Sequence, residues 1–171
     1  IFQVVLFARQ SQDRSMEKES SKLNLQRFLP YRLTKLSGII SRSLAERYSR
    51  QFDLTIQEWR ILAILGEKPG LTAREVGDLA SLDKVNISRA TDKLEKAGRI
   101  KRKVVAEDRR AFSLYLTENG QDILDRIIPL ASGYEDLLLD RFSPEEIEQL
   151  DSFLNRLDAR ADELISHLKG S

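Results

Sequence analysis

One stretch of this chain abandons helical spacing, and it constrains the fold more than any other feature. Before Gly98 and after Thr117, apolar residues recur every three or four positions, which is the repeat of a helix face. Between Arg99 and Leu116 the period falls to two. Arg99 to Ala106 reads as one strand, and Ala111 to Leu116 as its partner, with Phe112, Leu114 and Leu116 alternating against Ser113 and Tyr115. The charged loop Glu107-Asp108-Arg109-Arg110 separates them. The implied fold class is mainly α with a small β-hairpin, an α+β arrangement.

Helix starts are written in side chains that can bond free backbone amides. Thr55-x-x-Glu58, Thr72-x-x-Glu75 and Ser143-Pro144-Glu145-Glu146 are capping boxes, the third with proline at the first helical position. Asp83 caps a further helix from Lys84 to about Lys96, which Ala97-Gly98 ends. A long helix from Pro30 to Gln51 precedes them, with Leu33, Leu36, Ile40 and Leu44 on one stripe. The next carries Trp59, Ile61, Leu62, Ile64 and Leu65 and stops at Lys68-Pro69-Gly70. In the short helix that follows, Val76, Leu79 and Ala80 are expected inward. In the Lys84 helix the buried face is expected to be Val85, Ile87, Ala90 and Leu94, leaving Lys84, Asn86, Ser88, Arg89 and Lys93 outward. Pro129 is expected to kink or interrupt the helix through Ile123, Leu124, Ile127 and Ile128, because it removes a backbone donor.

Two short helices joined by a tight turn at Ser81-Leu82, the second basic on its outer face, form the helix-turn-helix pattern. The hairpin directly after it reads as a wing. Residues 54–116 are therefore expected to form a winged helix-turn-helix that binds DNA, and residues 1–24 a flexible arm. Met16 marks the expected natural start, with residues 1–15 a leader or an added segment. Residues 25–53 and 117–171 are expected to form a helical dimerisation region. There, Ile147, Leu150, Leu154, Leu157, Ala161, Leu164 and Leu168 recur at alternating intervals of three and four, a seam that wants a partner helix. An intramolecular bundle is the alternative.

Composition narrows the function. Among 171 residues there is no cysteine and one histidine, His167, which excludes disulfides, thiolate chemistry and zinc sites needing several imidazoles. His167 reads as a helix-end residue rather than a ligand. Carboxylate pairs occur only in capping or solvated contexts, and no glycine-rich phosphate loop is present, so no enzyme, cofactor or metal is expected. The longest apolar run, Ile1 to Ala8, is broken by Gln3 and is far short of the ~20 residues that span a bilayer. No membrane association and a cytoplasmic location are expected. The net charge of +1 hides a division: residues 84–110 carry ten basic and four acidic groups, whereas residues 117–171 carry five basic and thirteen acidic ones. One face suits a polyanion and another does not.

The Lys84 helix fits the DNA major groove. Arg89 suits guanine O6 and N7, Asn86 suits adenine, and Lys84, Ser88 and Lys93 suit bases or phosphates. A solvated charged face is the plainer reading of these residues taken alone, and the Asn86-Ile87-Ser88 sequon is read as chance. At the wing, Arg110 suits the narrow minor groove, with Asp108 orienting it, Arg109 beside it, and Lys101, Arg102 and Lys103 adding phosphate contacts.

From about Phe28 to Ile165 the chain resembles MarR-type transcriptional regulators. The resemblance rests on Leu54-Thr55-x-x-Glu58-Trp59-Arg60-Ile61-Leu62, Leu71-Thr72-Ala73-Arg74-Glu75-Val76, Asn86-Ile87-Ser88-Arg89, Leu94-Glu95-Lys96-Ala97-Gly98-Arg99-Ile100, and Asp108-Arg109-Arg110 followed by Leu114-Tyr115-Leu116-Thr117. Arg99-Ile100 departs from the more apolar pair usual in the family. The resemblance implies a homodimer with interlocked first and last helices and a winged helix on each side. It places Arg89 on the recognition helix and gives Asp108 and Arg110 the wing signature. A two-fold dimer implies a palindromic operator in double-stranded DNA, with half-sites about 10 base pairs apart. It further implies a small, often aromatic effector, with Arg32, Ser37, Ser41 and Trp59 as candidate lining groups, although Trp59 also suits a core position. Phe28-Leu29-Pro30-Tyr31-Arg32-Leu33 is similar to members controlling aromatic-acid catabolism, some of which answer to aromatic acyl-CoA thioesters. The leading expectation is a ligand-released repressor of bacterial type. The alternative, from another class, is a winged-helix scaffold that binds a protein partner without specific DNA binding.

Overall fold

The computed structural model describes residues 23–104 and 112–169. Among them the elements run α1 (Leu29–Phe52), α2 (Ile56–Glu67), α3 (Ala73–Ala80), α4 (Lys84–Lys96), β1 (Ile100–Val104), β2 (Phe112–Leu116), α5 (Glu118–Leu139) and α6 (Pro144–Lys169). The chain divides into two compact units between Glu46 and Arg47, inside α1. In the first unit Leu33, Leu36 and Ile39 stay exposed. The fold class is mainly α with one two-stranded antiparallel hairpin, as the periodicity implies.

The core of the second unit is built by α2, α3, α4, the hairpin and the first half of α5. Ile61, Leu62, Leu65, Val76, Leu94, Ile100, Leu114 and Ile127 are each at most 2% exposed. Every expected cap in this region forms. Thr55 and Thr72 accept from the amides of Glu58 and Glu75, while those carboxylates accept from the threonine amides at 2.9 and 2.7 Å. Ser143 and Glu146 bond reciprocally at the start of α6. Gly98, at φ 65°, ends α4 with its amide on Glu95 and the Arg99 amide on Leu94, a left-handed turn that glycine adopts without steric cost.

In the hairpin, Ile100 pairs with Leu116, Arg102 with Leu114 and Val104 with Phe112. On the outer edge of β2, the Gly70 amide donates to Leu114 and the Leu114 amide to Leu71, so the segment before α3 extends the ladder. Thr117 joins hairpin to helix. It caps α5 through the Gly120 amide, and its hydroxyl donates to the Gly98 carbonyl at 2.6 Å. Gly120 sits against the Arg99 carbonyl so closely that any Cβ there would collide with backbone. The Arg99 guanidinium in turn donates to the carbonyls of Phe52 and Asp53 at 2.6 and 3.0 Å. The residue that departs from the family's usual apolar pair thus closes the end of α1, where free carbonyls need donors.

Three local expectations are corrected. Helix α5 runs from Glu118 to Leu139 through Pro129, so the proline does not interrupt it. Its lost donor frees the Asp125 carbonyl, and both residues lie on the exposed side, where the carbonyl is open to solvent. Leu79 is 53% exposed, because α3 buries the arc of Val76, Gly77 and Ala80. Val85 is 56% exposed; at about 100° per residue it lies roughly 160° from Ile87, on the opposite face of α4. The outer ends of both expected strands, Val105-Ala106 and Ala111, and the loop Glu107 to Arg110, lie outside the described residues.

Candidate nucleic-acid interface

The turn between α3 and α4 is built to aim one helix outward. Ser81 takes a left-handed conformation at φ 54°, and the Leu82 amide returns to Gly77 at 2.8 Å. Gly77 lets this happen, since a Cβ there would press on the Leu82 carbonyl and on Ile87. Asp83 then opens α4, its Oδ1 accepting from the amides of Val85 and Asn86 at 2.9 and 2.8 Å. The Asn86 amide, first among several donors and with Arg89 adding its charge, holds the Asp83 carboxyl below its ordinary range. The start of α4 is therefore rigid and locally satisfied.

Ile87, Ala90, Thr91 and Leu94 face inward, and Lys84, Val85, Asn86, Ser88, Arg89, Lys93 and Lys96 stay exposed. Their engagements differ. Asn86 donates to Asp83 Oδ2 at 2.7 Å, so its amide is held at the helix start. Lys93 reaches back to α2, where its Nζ lies 3.1 Å from Oε1 of Glu58, a carboxylate only 3% exposed. Arg89 and Lys84 make no ion pair among the described residues. This is the division a groove-binding helix needs, with an inner row of core residues, a basic outer row and a buried counter-charge fixing its rear.

Strand alternation divides the three basic residues of β1. Arg102 shares a face with Ile100 and Val104, while Lys101 and Lys103 point to the other side. Lys103 lies over the ring of Tyr115, 4.7 Å from its centroid. Arg102 instead turns to α4, donating to Asp92 Oδ1 at 2.6 Å and lying 3.1 Å from Glu95 Oε2. A groove of about 670 Å³ opens beside it, lined by Arg74, Lys84, Ser88, Thr91, Arg102 and Phe112 among others. Asp108, Arg109 and Arg110 lie outside the described residues.

The remaining candidates fall on other elements. Arg32, Ser37 and Ser41 are on α1 in the first compact unit. Trp59 is half-buried on α2 in the second, its ring tilted by 43° against Tyr48 at 5.7 Å. Ile147, Leu150, Leu154, Leu157 and Leu164 fall on α6, the leucines 39–50% exposed. His167 is in the last turn of α6. Sequence reasoning missed three features: the outward Val85, the buried Glu58 behind Lys93, and the carboxylate pair that engages Arg102. Helical angle alone reveals the first, and strand alternation alone separates Arg102 from its neighbours.

Residues 52–111 match the model of the MarR family. The HTH-type transcriptional regulator PecS of Dickeya dadantii is 27% identical over 129 residues, covering 74% of this chain and 77% of the relative. Among solved structures, a MarR/EmrR family transcriptional regulator from Acinetobacter sp. ADP1 is 28% identical, with a TM-score of 0.75 over 82% of this chain and 99% of that one. The transcriptional repressor CouR, bound to a 23-mer DNA duplex, is 25% identical, with a TM-score of 0.68 over 81% of this chain and 99% of that one. No helix among the described residues is long and apolar enough to cross a membrane. Residues 52–111, which hold the helix-turn-helix and the first strand of the hairpin, are thus similar to the MarR family, and the fold is similar to that of solved MarR-family transcriptional regulators.

Proposed function

We propose that this protein is a homodimeric repressor that leaves a palindromic operator when a small aromatic ligand, or its CoA thioester, binds. The observation that carries the reading is α4, with its rear fixed by core residues and a buried carboxylate and its exposed side carrying Lys84, Asn86, Ser88 and Arg89. The exposed Val85, beside them at the N-terminal end, suits contact with a thymine methyl. Arg110 in the wing, oriented by Asp108, would enter the minor groove, with Arg109, Lys101 and Lys103 on phosphates. A cytoplasmic location belongs to the same reading. CouR, a repressor by its description, was captured on duplex DNA, which supports the same partner here.

The dimer reading rests on α6. Leu150, Phe153, Leu154, Leu157, Leu164 and Ile165 are all 39% or more exposed along one 26-residue helix. An apolar stripe of that length is covered in most soluble proteins, and a second copy supplies the matching surface. Residues 25–53 and 117–171 would then form the dimerisation region around two DNA-binding segments of residues 54–116. For the effector, Arg32, Ser37, Ser41 and Trp59 supply a cation, two hydroxyls and an aromatic face, the chemistry that an aromatic carboxylate needs. Release would be a population shift toward a half-site spacing the operator does not match.

Titration of the protein onto duplex DNA from immediately upstream of its own gene tests the reading. Binding that falls by orders of magnitude between about 50 and 200 mM salt, yet survives competitor DNA, is expected of a specific multi-phosphate contact. Adding aromatic acids and their CoA thioesters to the same complex should release it. Binding that is indifferent to salt and to Arg89→Ala or Arg110→Ala would instead favour a protein-interaction scaffold.

A further inference from the structure

Arg102 carries a positive charge on the strand that packs beside α4, yet its surroundings are those of an internal strut. Its side chain is 32% exposed and lies on the same hairpin face as the buried Ile100 and Leu114. One terminal nitrogen donates to Asp92 Oδ1 at 2.6 Å and to the buried Thr91 hydroxyl oxygen at 3.3 Å. The other lies 3.1 Å from Glu95 Oε2. The Thr91 hydroxyl itself donates back into α4, to the carbonyls of Ile87 and Ser88 at 2.9 and 3.0 Å. A planar guanidinium is thus held by three side chains of one helix.

Asp92 and Glu95 stand three residues apart, neighbouring carboxylates on the helix that enters the groove, where they repel both each other and phosphate. Arg102 neutralises them and ties the strand that bears the wing to the helix that reads bases. We propose that Arg102 is a positioning residue for DNA recognition: by bridging Asp92 and Glu95 it fixes the hairpin's angle against α4, and it makes no phosphate contact. Lys101 and Lys103, on the opposite face of the same strand, remain the phosphate-binding pair. The proposal rests on the DNA-binding reading and assigns Arg102 a role inside it.

The test compares two duplexes, one selected by the unaltered protein from a random pool and one of unselected random sequence, with affinities read by fluorescence anisotropy at several salt concentrations. For Arg102→Gln, affinity for the selected duplex should fall about tenfold or more, with the salt slope unchanged. Arg102→Lys should fail similarly, because a point cation cannot span both carboxylates, whereas it would serve a phosphate almost as well. The double variant Asp92→Asn/Glu95→Gln is the sharpest arm. It removes two negative charges, so charge alone predicts tighter binding to both duplexes, whereas loss of the strut predicts weaker binding to the selected one and a lower ratio between the two. Thermal melting of each variant checks that it is folded, and a variant that melts below the assay temperature is read at a lower one.

A salt slope reduced by about 0.9 in Arg102→Gln, rescued in Arg102→Lys, would make Arg102 a phosphate contact and overturn the proposal. So would tighter binding of the double variant to both duplexes. If the unaltered protein selects no duplex, the DNA-binding reading fails and the proposal fails with it, a result visible before any variant is made.

Discussion

Two leucine-rich regions of this molecule carry the same three-and-four spacing and meet opposite fates. In α2, Ile61, Leu62 and Leu65 are at most 1% exposed, enclosed by α3, α4, β2 and α5. In α6, Leu150, Leu154 and Leu157 are 39–43% exposed, and no residue between Leu150 and Leu168 is buried. Periodicity states that a face is apolar; it does not state what covers it. The difference lies in what surrounds each helix in the chain. Helix α2 is short, capped at Thr55, and followed at once by elements that fold back on it, whereas α6 is a 26-residue helix with acidic residues in its first turn and no buried residue from Pro144 to Leu168. An exposed apolar stripe of this length is what the proposed dimer would cover.

The sharpest way to break this contrast is to damage each region in turn. Leu62→Ala removes a fully buried side chain and should cost about 2–5 kcal/mol, read as a lower urea midpoint at unchanged slope. A loss under 1 kcal/mol would show that the winged core tolerates cavities and that its burial says little about its stability. Leu150→Glu/Leu157→Glu should leave that core folded and instead halve the mass measured by sedimentation. It should also make the melting temperature independent of protein concentration, since the assembly no longer contributes. A surviving dimer would put the interface elsewhere and leave the α6 seam unexplained.

A smaller effect separates local caps from the junction that uses them. Thr117 caps α5 and also donates to the Gly98 carbonyl, so it holds helix, hairpin and the end of α4 together. Thr117→Ser keeps both bonds, while Thr117→Ala loses both and should cost about 1–2 kcal/mol in chemical denaturation. Equal stability of the two variants would reduce Thr117 to a chain link without structural weight.

What the sequence disclosed follows the range of the forces involved. The caps at Thr55, Thr72, Asp83 and Ser143 bind amides two or three residues away, so their partners are adjacent in the sequence, and each forms as expected. The hairpin register follows from alternation and is equally local. The errors at Leu79 and Val85 came from counting apolar residues without tracking their angle around the helix. The ion pairs are different: Lys93 meets Glu58 across 35 positions and Arg102 meets Asp92 across ten, and nothing in either neighbourhood names the other. Alternation sets Arg102 on a different face from Lys101 and Lys103, but only the three-dimensional structure shows which basic residues are already occupied by carboxylates.

Tyr48 provides the finest test of how tightly the winged unit is closed. Its side chain is 1% exposed, its ring lies tilted against Trp59, and its hydroxyl finds no hydrogen-bond partner among the described residues. Burial pushes its pKa up to about 12, against a smaller opposing pull from Arg60. A raised tyrosine pKa means that the folded state favours the neutral phenol. This contribution is therefore complete below the unfolded value near 10 and is lost as pH rises from there toward 12. Tyr48→Phe keeps the ring and deletes the unsatisfied hydroxyl, so stability at pH 7 should rise by about 1 kcal/mol. The loss of stability between pH 10 and 12 should also become shallower, because this group can no longer ionise on unfolding. A Phe variant less stable than the parent at pH 7 would mean that the hydroxyl bonds a water or a small molecule in solution.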